Sequence, residues 1–526
     1  MLNSPSRMLP AMGWIAGIVT LGAGAIIVAL PMYHDHAIYW RGGELLLEGK
    51  PLANDFLVKQ PGIYAVFAAA RLLLGDHEWS YRLLDAVVQI GIAALLARIA
   101  AQLEGRILAG VTYAVYLLTY AASAFVLGSH PESYIGIAVA LFVLSRMQSE
   151  QNWQQVVVDG VLVTWLVWLK VTFAIAAIAV ALADLLSGSS VRVWARHWLG
   201  VVGIAVGATA LLVGFFTPHI DWSSLPPAVE YMRFYASLPP LTFATLTDIG
   251  HRLLRVVTEN YSVAVSGAAI AGWIFLARTG HPHLLLWALL SLGVALSIIV
   301  ERKFGVVHLW RMLPLIAIPA AKGFVVAFKN LGDLWRQSAL SMRIAVVMPL
   351  CLSIALLSPL PRAVMMLRAP LYAAVSPEQY NAAFQRPAHN VLHRQTLWTL
   401  CGYLASNRKP NERVLVLSSC MSQLYVFLRE PQWYHFSTTL PVMGTFVPKQ
   451  WRKLYEQDLR QADWLVISTL DRANWLTGHN YSSWEWFCAD RSSSEYLRTH
   501  FCYAMETDIA KVYRRIIPEV ELLSER

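Results

Sequence analysis

The chain has 526 residues, of which 56% are hydrophobic and only 14% charged, with a mean hydropathy of +0.48. Soluble domains carry about 25% charged residues, so an ordinary soluble fold is excluded. A transmembrane barrel, which would alternate in segments of about 10 residues, is excluded too. The formal charge of +9 has a topological explanation, because cytoplasmic loops of membrane proteins carry the Lys and Arg; no basic, aromatic-rich tract points to nucleic acid.

In chain order, apolar segments fall at 11–32, 84–103, 107–126, 132–147, 156–169, 171–188, 198–217, 255–277, 283–300, 310–328 and 343–360. Most approach the roughly 17–25 residues needed to cross a bilayer, giving about eleven spans. The first is too long for a signal-peptide core and lacks a cleavage site, so it reads as an uncleaved span. The segment 61–75, "PGIYAVFAAARLLLG", is short and reads as an interfacial helix. Counting it as a span would reverse the charge pattern of every later loop. Treated as interfacial, it leaves Arg7, Arg98, Arg106, Arg146, Arg192, Arg196, Arg278, Lys329, Arg336 and Arg343 on one side, which the positive-inside rule makes cytoplasmic. The loop 33–83, the short loops 127–132, 218–254 and 301–309, and everything after 361 then lie on the other side.

Residues 1–360 thus form a membrane domain with a long first extracytoplasmic loop, and 361–526 a soluble extracytoplasmic α/β domain. In the latter, "ERVLVLSS", "ADWLVIST" and "AKVYRRI" read as strands. "HRQTLWTLCGYLASN" and "KQWRKLYEQDLRQ" have helical spacing. The five cysteines show no CxxC or Cys/His spacing, hence no zinc signature. Cys488 and Cys502 could pair if this region is outside the cytoplasm.

Ionisable residues at membrane depth are costly and face a partner or a cavity. Asp35, flanked by His34 and His36, is the first carboxylate after span one; it reads either as a base at a cavity mouth or as a cap on the next helix. Asp55 sits in a turn-like setting and leans to the structural reading. Lys59 precedes Pro61 at a helix entrance, where its cation could meet a lipid phosphate or simply snorkel. Arg82 and Asp85 share a helix face and read as a structural ion pair. In "GSHPESY", Glu132 follows a helix-opening proline, so a helix-start carboxylate and a functional one are equal alternatives. Lys170, in "LVWLKVTF", has almost no loop around it and suggests an inward-facing cation. "ERKFGVVHLWRMLPL" gathers Glu301, Arg302, Lys303, His308 and Arg311 on the outer side, against the positive-inside trend. A bound anion is the simplest reason, since Arg and Lys give charge-assisted hydrogen bonds to phosphate. Together these residues suggest sugar transfer from a phosphate-activated lipid, which needs a carboxylate near the acceptor and cations at the leaving phosphate.

These stretches resemble the GT-C class of integral membrane glycosyltransferases, in particular bacterial relatives of the protein O-mannosyltransferases and lipid A aminoarabinose transferases. The resemblance covers about residues 10–360 and, more loosely, the C-terminal domain. It rests on Asp35, "ELLLEGKPL", "KQPGIY" and "SYRLLDA", with weaker matches at "HPESY", "LKVTF" and "ERKFGVVHLWRMLPL". The chain departs from the family pattern at Val307, where an aromatic is common, and at His36, where members with a paired acidic motif carry a second acid. No metal or other cofactor is therefore indicated, although a divalent ion is left open.

The resemblance implies that Asp35 and Glu132 are catalytic carboxylates, and that Lys59, Lys170, Arg302, Lys303 and His308 surround the donor phosphate. It implies a hexosyl- or pentosyltransferase of the inner membrane. Such an enzyme would take sugar from a polyprenyl-phosphate donor to a lipid, glycan or protein acceptor at the extracytoplasmic face, with inversion. The alternatives are a transporter or flippase of lipid-linked sugars, a non-catalytic scaffold of envelope polysaccharide assembly, or another envelope enzyme such as an O-antigen polymerase or ligase.

Overall fold

The computed structural model describes residues 5–52, 54, 59–148, 152–188, 190–238, 243–280, 283–302, 304–386, 392–472 and 477–516. Asp55 and Lys303 lie outside the described residues. Packing divides the chain into two compact units that do not follow a single cut along the sequence. The first takes 1–30, 73–215 and 241–371, and the second 31–72, 216–240 and 372–526.

The first unit is helical. Every apolar segment predicted for it is a helix, but the count of about eleven spans is not reproduced. Among the described residues, five helices are long and apolar enough to cross a membrane, or up to eight if three bent pairs each count as one span. The shortfall has a physical origin. The Pro131–Met147 and Trp153–Leu169 helices have 17 residues each, about 25 Å at 1.5 Å per residue, which is the lower limit of a span. The second ends because Lys170 turns extended, with φ −168° and ψ 120°. The apolar run near 255–277 is broken by a π-turn at Val256–Asn260 and bends by 99°.

Close packing in this unit depends on glycine. The helices Val263–Thr279 and Leu313–Gln337 meet where a Cβ at Gly272 would collide with the Pro319 carbonyl, and one at Gly323 with the Ala268 carbonyl. Small residues of this kind let membrane helices approach when no hydrophobic drive separates protein from lipid. Four further helices are tied together by a buried ionic knot. Arg146 reaches Asp159 at 2.7 Å and Asp184 at 2.9 Å. His197 bonds Asp159 at 3.0 Å, and the Trp198 indole bonds Asp184 at 3.1 Å. Arg82 and Asp85, expected as a simple pair, belong to a wider net. Arg82 donates to the carbonyls of Ala124 and Phe125, while Asp85 accepts from Gln89, Tyr120 and Ser129.

The second unit contains a four-stranded sheet. β1 (Val414–Leu417) pairs in parallel with β2 (Trp464–Ser468); β4 (Ala510–Arg515) runs antiparallel to β2 and forms a hairpin with β3 (Phe501–Glu506). The order is β1-β2-β4-β3. β1 and β2 are buried throughout, which explains their unbroken Val/Leu/Ile runs. The predicted strands are β1, β2 and β4, and both predicted helices form, at Arg394–Asn407 and Lys449–Gln461. Cys488 and Cys502 are both free and exposed, so the pairing considered for them does not occur.

Two helices from the first predicted loop belong to this unit, His34–Leu47 and Gly62–Leu74. The second has 13 residues, about 20 Å long and too short to span. They pack on each other through Gly43, where a Cβ would sit 2.7 Å from the Ala68 nitrogen. Arg71 joins Glu44 at 3.2 Å and lies over the Trp40 ring. The loop is also bound to more distant chain. Arg41 donates to the Glu430 carbonyl at 2.7 Å. The backbone of Leu52 bonds His219, and that of Asn54 bonds His435.

Candidate functional site

The residues singled out by sequence fall into two groups, one in each unit. In the second unit, Asp35 occupies the first turn of the His34–Leu47 helix, where the positive helix end favours a carboxylate. It is not the N-cap, which is Tyr33; the Tyr33 N–H is met instead by the His36 ring at 3.3 Å. Lys59, 24 residues on, places its ammonium 3.2 Å from the Asp35 carboxylate and lies over the Tyr39 ring. Burial works against the charge on Lys59, but Asp35 outweighs it and raises the lysine pKa above its ordinary value. His34 Nε2 is 3.9 Å from the other Asp35 oxygen. The arrangement is a partly exposed carboxylate held by a cation.

In the first unit, Glu132, Lys170, Glu301, His308 and Arg311 form one network. Pro131 opens the helix carrying Glu132. The extended turn at Lys170 swings that side chain to Glu132 at 2.7 Å and Glu301 at 2.8 Å. The Val306–Leu309 turn is held where Tyr261 donates to the Leu309 carbonyl. His308 on that turn lies 3.0 Å from Glu132 and 3.1 Å from Lys170. Arg311 closes the array. It bonds Glu301 at 2.9 Å, Glu132 at 3.2 Å and the Ser297 hydroxyl at 2.8 Å, and its guanidinium lies over the Phe173 ring. Thr172 donates to Glu301.

Exposure divides these residues by role. Arg311, Glu132 and Glu301 are 0%, 3% and 8% exposed, whereas Lys170 and His308 are 19% and 13% exposed. The two carboxylates and the arginine form a buried frame; the lysine and histidine are what the frame presents. Glu132 meets Lys170, His308 and Arg311 on the same oxygen, Oε1, which suits it to orient them. Arg302, expected beside the donor phosphate, is instead exposed at the left-handed end of the Leu284–Glu301 helix (φ 55°) and makes no ion pair among the described residues. That conformation aims the chain away from the helix and accounts for its separation from the network. Glu301 and Arg311 were legible only as members of a charged stretch.

Glu132, Glu301 and His308 offer three ligand atoms within 4.8 Å of one another, a spacing that could hold a metal ion. Lys170 and Arg311 already neutralise both carboxylates at hydrogen-bond distance. A divalent cation would have to displace or face those charges, so the donor set fits an ion network better than a metal centre.

No family model and no curated protein matches the sequence. The fold does have solved counterparts. ArnT from Cupriavidus metallidurans, in a crystal structure bound to undecaprenyl phosphate, aligns over 97% of this chain and 99% of its own, with a TM-score of 0.59 and 15% identity. The apo structure of the same protein aligns over 96% and 98%, with a TM-score of 0.56 and 15% identity. The archaeal oligosaccharyltransferase AglB from Archaeoglobus fulgidus aligns over 86% of this chain and 69% of its own, at a TM-score of 0.43 and 13% identity. The chain has the GT-C fold that the sequence resembles, and its apolar helices make it a multi-pass membrane protein.

Proposed function

We propose that this GT-C-fold protein is a membrane glycosyltransferase of the inner membrane. In this reading it moves a hexosyl or pentosyl group from a polyprenyl-phosphate donor to a lipid, glycan or protein acceptor on the extracytoplasmic face. The observation that carries the reading is the end-to-end likeness to ArnT bound to undecaprenyl phosphate. Each of the two side-chain groups, taken by itself, offers chemistry that the reading can use.

Asp35 receives the proton of the acceptor hydroxyl or amine as that atom bonds to the anomeric carbon. The bond from the anomeric carbon to phosphate breaks on the opposite side, with inversion, and its electron pair leaves with the polyprenyl phosphate. Lys59 keeps Asp35 ionised and oriented. It donates one of its three protons to Asp35, which leaves donor capacity for an anion. Lys170 and His308, the more exposed members of the first unit's network, are the cationic donors of that unit suited to a phosphate, and charge-assisted bonds of this kind are the strong ones. Glu132, Glu301 and Arg311 are positioning residues in this scheme, a change for Glu132 from the catalytic role the resemblance implied.

Two experiments test the reading. Mass spectrometry of lipid-linked sugars and envelope glycans, with and without the protein, should show an accumulating lipid-linked donor and a missing glycosylated product. A flippase would leave the donor on the wrong leaflet and form no glycosidic bond in a purified assay. In that assay, Asp35→Asn should lower transfer by about 10²–10⁴-fold, the usual contribution of a general base, with donor binding retained. Full activity in this variant removes Asp35 from the chemistry.

A further inference from the structure

The second unit contains a cavity that none of the candidate site residues above line. It has a volume of about 260 Å³ and is built where Leu45, 50–52 and Asn54 meet Asp221 and the Gln432, Tyr434 and His435 side chains. The meeting is held by main chain: Leu52 N–H donates to the His219 carbonyl at 2.9 Å, and Asn54 N–H to the His435 carbonyl at 3.1 Å. Its walls are therefore fixed by backbone rather than by loose side chains.

The lining is polar in a mixed way. His435 is oriented by Asp458, whose carboxylate accepts from both its ring Nδ1 at 2.7 Å and its backbone N–H at 2.8 Å. Asp458 is 1% exposed, a buried support behind the ring. Asp221 accepts from Ser223 and Ser224 and so is held on the rim, with acceptor capacity left over. The Gln432 amide donates to the Tyr434 carbonyl, but its own oxygen is buried and has no hydrogen-bond partner among the described residues. Leaving such an acceptor unmet costs about 1–3 kcal/mol, and a turn of the Gln432 side chain toward the cavity it lines would let a ligand hydroxyl meet it. Leu45, Pro51 and Leu52 supply apolar wall beside the Tyr434 ring.

We infer that this cavity is a binding site for one neutral sugar residue. The size argues for a single ring, since pockets that bury drug-sized ligands run from about 300 to 1,000 Å³. The chemistry argues for a polyol: acceptors at Asp221 and Gln432 stand beside donors at His435 and Asn54, and the apolar wall suits the C–H face of a pyranose. The charge balance argues against a phosphate. Asp221 and Asp458 flank His435, and the one nearby lysine, Lys50, is already paired with Glu48 at 2.9 Å. The site needs no transfer chemistry, so it stands or falls apart from the role given to Asp35; with the proposed function it would hold a sugar of the acceptor or its product.

The test is saturation-transfer NMR on the full chain in a detergent without a sugar headgroup. The probes are the methyl glycosides of glucose, galactose, mannose and N-acetylglucosamine. At least one should bind saturably with a Kd on the order of 1 mM. Gln432→Leu should weaken it by about tenfold, the loss of one hydrogen bond, and Asp221→Ala, which removes the exposed rim acceptor, should weaken it by less. Asp35→Asn should leave it unchanged. Absence of saturable binding up to about 100 mM overturns the inference. Binding that survives both lining variants, or displacement of the glycoside by inorganic phosphate, overturns it equally.

Discussion

The two ionic groups are built on opposite plans. In the first unit, two glutamates, a lysine, an arginine and a histidine share their bonds in a mostly buried network in which Arg311 alone contacts Glu132, Glu301 and Ser297. In the second unit, Asp35 and Lys59 meet across 3.2 Å and stay partly exposed, at 25% and 37%. The first plan resists disturbance and fixes direction. The second leaves a carboxylate accessible, which a group that must meet a substrate requires. The difference teaches that charge alone does not identify the reacting group; the unused bonding capacity around it does.

The comparison breaks most visibly at Arg311. Removing one partner of a buried ion network strands the others, at about 3–5 kcal/mol. Arg311→Ala should therefore sharply lower the thermal unfolding midpoint in detergent and the yield of folded protein, and Arg311→Lys should rescue only part of it because Lys lacks the bidentate fork. An Arg311→Ala protein as stable as wild type would show that the network is not the frame described.

A smaller effect separates the presented residues from the frame. Lys170→Ala removes a charge-assisted donor of about 1.5–3 kcal/mol, so affinity for a polyprenyl-phosphate sugar should fall by about 10–100-fold. Glu132→Gln should keep most of the fold, because the amide still accepts, yet lower transfer by misorienting Lys170 and His308. Donor affinity unchanged in Lys170→Ala would take the phosphate away from this group. Incubation with a chelator should leave transfer unchanged, since Lys170 and Arg311 already balance the carboxylates that a metal would need.

Much of this was readable in the sequence, and the exceptions share a cause. Apolar runs gave the helices, and unbroken Val/Leu/Ile runs gave β1 and β2. "FCYAME" was not read as a strand because β3 is an edge with a mixed burial pattern, buried at Phe501 and exposed at Cys502 and Tyr503. Among the described residues its only strand partner is β4. The packing of residues 31–72 and 216–240 with the C-terminal sheet was also invisible, because it rests on main-chain bonds such as Asn54 to His435 that leave no local pattern. Glu132, Lys170 and His308 could be named one at a time from their odd settings. That they touch, and that Glu301 and Arg311 complete them, depends on helix breaks at Lys170 and around Gly305 that no periodicity announces.

Returning to the exposed plan, Asp35→Asn and Lys59→Ala should each change stability by about 1 kcal/mol or less, as for other partly exposed pairs. The unfolding midpoints of both should stay close to wild type, in contrast to Arg311→Ala. A large loss in either would mean that the pair is structural, and the activity of Asp35→Asn would then say nothing about chemistry.

The smallest expected effect concerns His435, which combines the two plans: one side is fixed by Asp458 and the other faces the cavity. The hydrogen bond that His435 donates to Asp458 raises the His435 pKa, burial opposes it, and Asp221 adds to the rise. Folding thus favours the protonated ring. Its contribution is fully present below the unfolded value near pH 6.5 and is lost as pH rises through the higher folded value. Burial raises the Asp458 carboxyl, against the pull of His435. The hydrogen bonds from Ser223 and Ser224 lower Asp221. The histidine is the one of the three whose ordinary value lies near the tested range, so it dominates locally there. His435→Gln should therefore cost more stability at pH 6 than at pH 8, measured as the gap between wild-type and variant unfolding midpoints. A gap that widens with pH would mean that the folded protein prefers the neutral ring, and the charge balance used to assign a neutral sugar to the cavity would have to be reversed.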